Sequence, residues 1–89
     1  MYRVRLTSRA RRELDKIAGE DAENIASALQ AIGKNPRLPG VKKLRENIHR
    51  VRVGDWRIIY AISDKDRLVI VGKIVRRSED TYDRVKDRF

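Results

Sequence analysis

The chain has 89 residues, no cysteine, and 22 Lys plus Arg against 13 Asp plus Glu, a formal charge of +9. That length holds one domain, spanning residues 1–89, with one core, and the absence of thiols excludes disulfides and thiolate metal sites and fits a reducing cytoplasm. A sequence pI near 10.5 suits a binder of nucleic acid, of an anionic membrane surface or of an acidic partner.

Tyr2, Val4 and Leu6 alternate with Arg3 and Arg5, which predicts a half-buried strand over residues 2–6. Thr7 or Ser8 can cap a helix with Ala10, Leu14 and Ile17 on one face, ending near Gly19. Glu20 and Asp21 suit the N-terminus of a second helix. Its apolar positions Ala22, Ile25, Leu29 and Ile32 keep helical spacing, and Gly33 followed by Asn35-Pro36 is expected to end it. Residues 34–41 hold both prolines and read as a loop.

Residues 50–53 then alternate Arg-Val-Arg-Val, and 56–62 read Trp-Arg-Ile-Ile-Tyr-Ala-Ile. With Gly54-Asp55 as a two-residue hairpin loop, Val53 faces Trp56, Arg52 faces Arg57 and Val51 faces Ile58. One face of this ribbon (Val51, Val53, Trp56, Ile58, Tyr60) is core. The other carries Arg50, Arg52 and Arg57, an arrangement that costs stability because like charges stand in direct register. It therefore points to an anionic ligand, which we read as RNA. A turn at Ser63–Asp66 leads to a third apolar strand from Leu68 to Val75. Tyr82, Val85 and Phe89 share helical spacing in the tail. The order β-α-α-β-β-β with a short C-terminal helix predicts an α+β domain, a helical hairpin on one face of an antiparallel sheet.

Metal and cofactors are not expected. His49 has no His, Cys or paired carboxylate at ligand spacing, and Ser63-Asp64-Lys65-Asp66 lacks the remainder of a calcium loop. No apolar run approaches the roughly 18 residues that suggest a membrane span, and the charged start Met1–Leu6 lacks a signal-peptide core, so a cytoplasmic protein without membrane contact is expected.

The element order, the segment Lys42-Lys43-Leu44-Arg45, the hairpin from His49 to Tyr60 and the close Arg76-Arg77-Ser78-Glu79-Asp80-Thr81-Tyr82 together resemble the RelE/ParE superfamily of toxins. The resemblance covers essentially the whole chain and implies the RelE-like microbial RNase fold. RelE-like members cut messenger RNA in the ribosomal A site, while ParE-like members keep the fold and poison DNA gyrase. By position, Arg50 and Arg52 match two basic residues of the family's central strand and Arg57 the arginine of the next strand. Arg76 and Tyr82 match the basic residue and tyrosine near the C-terminus. These five residues are the catalytic set the resemblance implies, with Arg57 and Arg76 on the scissile phosphate. It favours RelE-type cleavage over gyrase inhibition or non-catalytic RNA binding. The implied partners are the ribosome, messenger RNA and a small acidic antitoxin, RelB-like or similar.

The Lys42-Lys43-Arg45 cluster and Arg77 are expected to bind RNA phosphates. Many RelE-type members carry lysines where this chain has Arg50 and Arg52, and a guanidinium does not give up its proton. Proton transfer then falls to Tyr82, to His49, whose unperturbed pKa lies near neutrality, or to Glu46.

Overall fold

The structure is a computed structural model, and it describes residues 1–76. Seven elements follow in chain order: β1 (Arg3–Leu6), α1 (Ser8–Asp15), α2 (Gly19–Lys34), β2 (Lys42–Arg45), β3 (Ile48–Val53), β4 (Trp56–Ser63) and β5 (Leu68–Arg76). The strands form one sheet in the order β1-β5-β4-β3-β2. Both helices pack on one face of it, as expected. The expected terminal helix, with Tyr82, lies outside the described residues.

Local chemistry explains the element boundaries. Thr7 is the N-cap of α1, its hydroxyl oxygen accepting from the Ala10 amide at 3.1 Å. The same hydroxyl donates to the Gly72 carbonyl at 3.2 Å, which ties the start of α1 to β5. Helix α2 begins with Glu20 and Asp21 in its first turn, where carboxylates meet the positive end of the helix dipole. Its apolar stripe buries Ile25 and Ile32 fully, with Ala22 and Leu29 packed at the margin. Together with Ala10 and Ile17 they meet Val51, Ile58, Tyr60, Ile62, Val69, Val71 and Ile74 of the sheet in a single core.

Two details differ from the sequence-based expectation. The sheet is mixed, because β1 pairs with β5 in parallel, Val4 opposite Val69 and Leu6 opposite Val71. Lys42–Arg45 is a strand in its own right, antiparallel to β3; with only Leu44 partly buried, its polar sequence carries no strand pattern. Helix α2 ends at Lys34 with Asn35 as its C-cap, as expected, and at Gly33, in its last turn, a Cβ would stand 3.2 Å from Val4 Cγ2 and 3.4 Å from the Tyr2 carbonyl. The missing side chain lets the helix approach β1 closely enough for the Tyr2 amide to donate to the Gly33 carbonyl at 2.8 Å.

The β3–β4 hairpin has the expected register: Val51 opposite Ile58, Arg52 opposite Arg57, Val53 opposite Trp56. Gly54 takes φ 60°, the positive value that glycine supplies at the first loop position of a type II′ turn. At the other end of the sheet, Arg37 makes a bidentate contact with Asp64, both N···O distances being 3.0 Å. Tyr2 donates to the same carboxylate at 2.6 Å. These contacts hold the proline-containing loop against the β4–β5 turn. The paired guanidinium, then the tyrosine hydroxyl, keep Asp64 below the usual carboxylate range.

Candidate active site

The sheet has two chemically different faces. One carries the core. The face turned away from the helices carries Arg50 and Arg52 from β3 and Arg57 from β4, joined by Lys42 opposite Arg50 on β2. Arg3 and Arg5 of β1 stand on it too, opposite Leu68 and Ile70. Among the described residues, none of the five strands contains an Asp or Glu.

Position and burial sort these cations. Arg50 and Arg57 are only 7% and 8% exposed, whereas Arg52 between them is exposed. A desolvated cation is costly unless it is compensated, and arginine bears that cost best because its guanidinium is weakly hydrated. Arg50 Nε is buried and has no hydrogen-bond acceptor among the described residues. Two guanidinium groups held almost buried on a rigid sheet suit a ligand with paired anionic oxygens.

A bulge adds a fourth buried or central cation that sequence reasoning missed. Along β4–β5, Tyr60 faces Val71 but Ile59 faces Lys73, so Gly72 has no opposite number. One extra residue reverses the facing of everything beyond it. Val69 and Val71 point into the core before the bulge and Ile74 does so after it, which leaves Lys73 on the arginine face, 8% exposed. A continuous row then crosses four strands: Lys42, Arg50, Ile59, Lys73. The signal in the sequence was the lone Lys within an apolar strand; its facing depends on the bulge, which strand periodicity does not announce.

The same bulge separates residues expected together. Arg76 pairs with Trp56 and its guanidinium carbon lies over the indole, 4.9 Å from the ring centre. It is therefore on the helix-bearing side, beside a small recess lined by Glu13, Lys16, Ile17 and Ile74. The expected sharing of one phosphate by Arg57 and Arg76 is thus corrected: by register they stand on opposite faces. Trp56 packs against the core opposite Val53, as expected.

His49 also belongs to the other face. It pairs with Lys43 and Tyr60, is 5% exposed, and stacks on the Tyr60 ring with centroids 5.9 Å apart. Its Nδ1 lies 3.0 Å from the Asn47 carbonyl. Burial pushes the imidazole below its ordinary pKa, only partly opposed by that carbonyl, and the positive charges of Arg37 and Lys43 add to the depression. The expectation that His49 serves proton transfer beside the arginines is corrected by the alternation of β3. Lys43 shares its face, whereas Arg45, opposite Ile48, returns to the arginine side past an irregularity at Leu44. Glu46 is exposed in the β2–β3 turn with φ 35°. The turn lies beyond the Ile48–Ala61 pair, which is four residues, roughly 13 Å, from the Arg52–Arg57 pair. Arg77 and Tyr82 lie outside the described residues.

Comparison with known proteins agrees with this architecture. The sequence model of a family described as the ParE toxin of the type II toxin–antitoxin system, parDE, matches residues 4–81. Toxin RelE of Mycobacterium tuberculosis is 38% identical over 84 residues, covering 86% of this chain and 82% of the relative. Among solved structures, the archaeal RelE–RelB complex from Pyrococcus horikoshii superposes with a TM-score of 0.77 at 24% identity, covering 85% of this chain and 94% of that one. The toxin–antitoxin complex RelBE2 from M. tuberculosis gives 0.75 at 28% identity, covering 85% and 98%.

Proposed function

The chain belongs to the RelE/ParE superfamily of type II toxin–antitoxin toxins, and we propose that it is an endoribonuclease that cuts messenger RNA in the ribosomal A site. The observation that carries this reading is the sheet face on which Arg50 and Arg57 are held almost fully buried beside Arg52.

The chemistry draws on groups of the polynucleotide, the protein and water. The ribose 2′-OH attacks the adjacent phosphorus, giving a 2′,3′-cyclic phosphate and a free 5′-OH. The protein holds the attack in line and stabilises charge on the phosphoryl oxygens. Arg57 takes the scissile phosphate, because a guanidinium fork meets two of its oxygens at once. Arg52, directly opposite Arg57, and Arg50, two residues further along β3, grip the attacking ribose and the neighbouring phosphate. Lys42 and Arg45 at the sheet edge meet flanking phosphates, with Lys43 and Arg77 on ribosomal RNA. Arg76 follows the strand away from the reacting phosphate, and Tyr82 stacks on a codon base, a contact worth about 1–3 kcal/mol.

The ribosome positions the substrate, with Lys43 and Arg77 docked among its phosphates, so free RNA is cut poorly. The partner that silences the toxin is an acidic antitoxin, as RelB accompanies the toxins of the P. horikoshii complex. Primer extension on a defined message, bound to ribosomes with an empty A site, tests the proposal. A break within the A-site codon that disappears in Arg57→Ala supports it. An intact message, together with growth arrest on expression, would transfer the protein to gyrase inhibition, where the arginine face is a docking surface only.

A further inference from the structure

Resting on that RNA-cutting reading, we propose that Lys73 is the general acid of the reaction, the group that protonates the 5′ oxygen as it leaves phosphorus. The three arginines can hold charge but cannot donate a proton at working pH. Among the described residues, Lys73 is the one cation buried on their face that can. It lies opposite Ile59, whose other neighbour is Arg50. Arg57 is two residues along from Ile59, which makes Lys73 and Arg57 diagonal neighbours across adjacent strands, about 7–8 Å apart at the backbone. Both side chains are long enough to converge on one phosphate, the fork on its non-bridging oxygens and the ammonium on the bridging one. Lys42 shares the face but stands exposed on the edge strand, beyond Arg50.

Among the described residues, the charged side chains nearest Lys73 along this face are Arg57 on β4 and Arg50 and Arg52 on β3. Glu13 of α1 is on the opposite side of β5, accepting from the Ile74 amide at 2.8 Å and from Arg9 Nε at 2.9 Å. The Gly72 bulge is thus a functional feature, since an unbroken ladder would aim Lys73 into the core beside Ile58. In the reaction the 2′ oxygen bonds to phosphorus and its proton passes to water. The P–O5′ bond breaks with its electron pair on oxygen, Lys73 Nζ gives that oxygen a proton, and the amine regains one from solvent.

The test compares two ribosome-bound messages, one ordinary and one with sulfur in place of the bridging 5′ oxygen at the cleaved linkage. A thiolate leaves without needing a proton. Lys73→Arg, which keeps the charge, is expected to cut the ordinary message about 100-fold more slowly than wild type and the sulfur message at nearly the wild-type rate. Lys73→Met, which loses the charge, is expected to show the same contrast at lower rates. Equal losses on both messages would make Lys73 a positioning residue, and an undiminished rate on the ordinary message would remove it from catalysis; either overturns the inference while leaving the RNA-cutting reading intact. Failure of the wild type to cut either message would overturn that reading, and the inference with it.

Discussion

Arg52 stands directly opposite Arg57 across the β3–β4 ladder. Two cations in register cost a sheet about 0.2–1 kcal/mol against a neutral pair, and here the second is buried as well. Function and stability therefore oppose each other at this pair. Arg52→Thr, with a side chain that favours strands, is expected to raise the unfolding free energy by about 0.5 kcal/mol while lowering A-site cleavage. Urea denaturation and primer extension on the same preparations check both directions. A variant less stable than wild type would mean that the repulsion is already neutralised in the folded chain.

His49 supplies a pH dependence that is structural rather than catalytic. Its folded pKa is depressed by burial, so the unfolded chain takes up a proton first as the pH falls. Stability is therefore full above the unfolded value of about 6.5 and declines as pH falls below it toward the folded pKa. His49 is the single histidine of the chain, and the depressed Asp64 carboxyl responds only at lower pH, below about 4. The urea midpoint is expected to drop between about pH 7.5 and about pH 5.5 in wild type and to stay level in His49→Phe. That variant is also expected to keep its cleavage activity, because residue 49 does not face the arginines.

The sequence makes the central hairpin legible because everything that determines it is local. The Arg-Val alternation, a two-residue loop with glycine first, and Trp56 facing Val53 together specify register and facing over residues 51–58. The helices are legible for the same reason. What escapes is set by partners distant in sequence. The parallel pairing of β1 with β5 follows from where α2 returns the chain, and the edge strand Lys42–Arg45 exists because β3 offers it a ladder. The bulge at Gly72 is the costliest omission for function. It moves Lys73 onto the arginine face and Arg76 off it, so a resemblance carried over residue by residue kept Arg76 beside Arg57 and passed over Lys73.

Gly33 shows a glycine whose worth lies in close approach. Replacing it by alanine adds helix propensity of about 1 kcal/mol in a helix interior, less here, one residue from the helix end. Against that, the new methyl meets Val4 Cγ2 at 3.2 Å and the Tyr2 carbonyl at 3.4 Å, and β1 is anchored on its other side by β5. Overpacking of this kind costs about 1–3 kcal/mol. Gly33→Ala is therefore expected to lower stability by about 1 kcal/mol, read from the urea midpoint. A stabilised variant would show that β1 yields at no cost.

Tyr60 is fully buried and its hydroxyl donates to the Pro36 carbonyl at 2.6 Å, fastening the proline-containing loop to the middle of β4. Burial pushes its phenol up to about 12, so it stays protonated, and a donor, throughout any working pH. Tyr60→Phe keeps the ring, and with it the stacking on His49, but leaves the Pro36 carbonyl without this donor. The loss is expected to be about 1–2 kcal/mol, near the upper range for a hydrogen bond because a buried acceptor is orphaned. Hydrogen exchange is expected to show where it falls. Amides of the loop from residue 35 to 41 should lose protection, while those of the β3–β4 hairpin keep theirs until global unfolding. Uniform loss across both segments would show that the loop and the hairpin open as one unit, and that Tyr60 stabilises the whole sheet rather than the attachment of the loop.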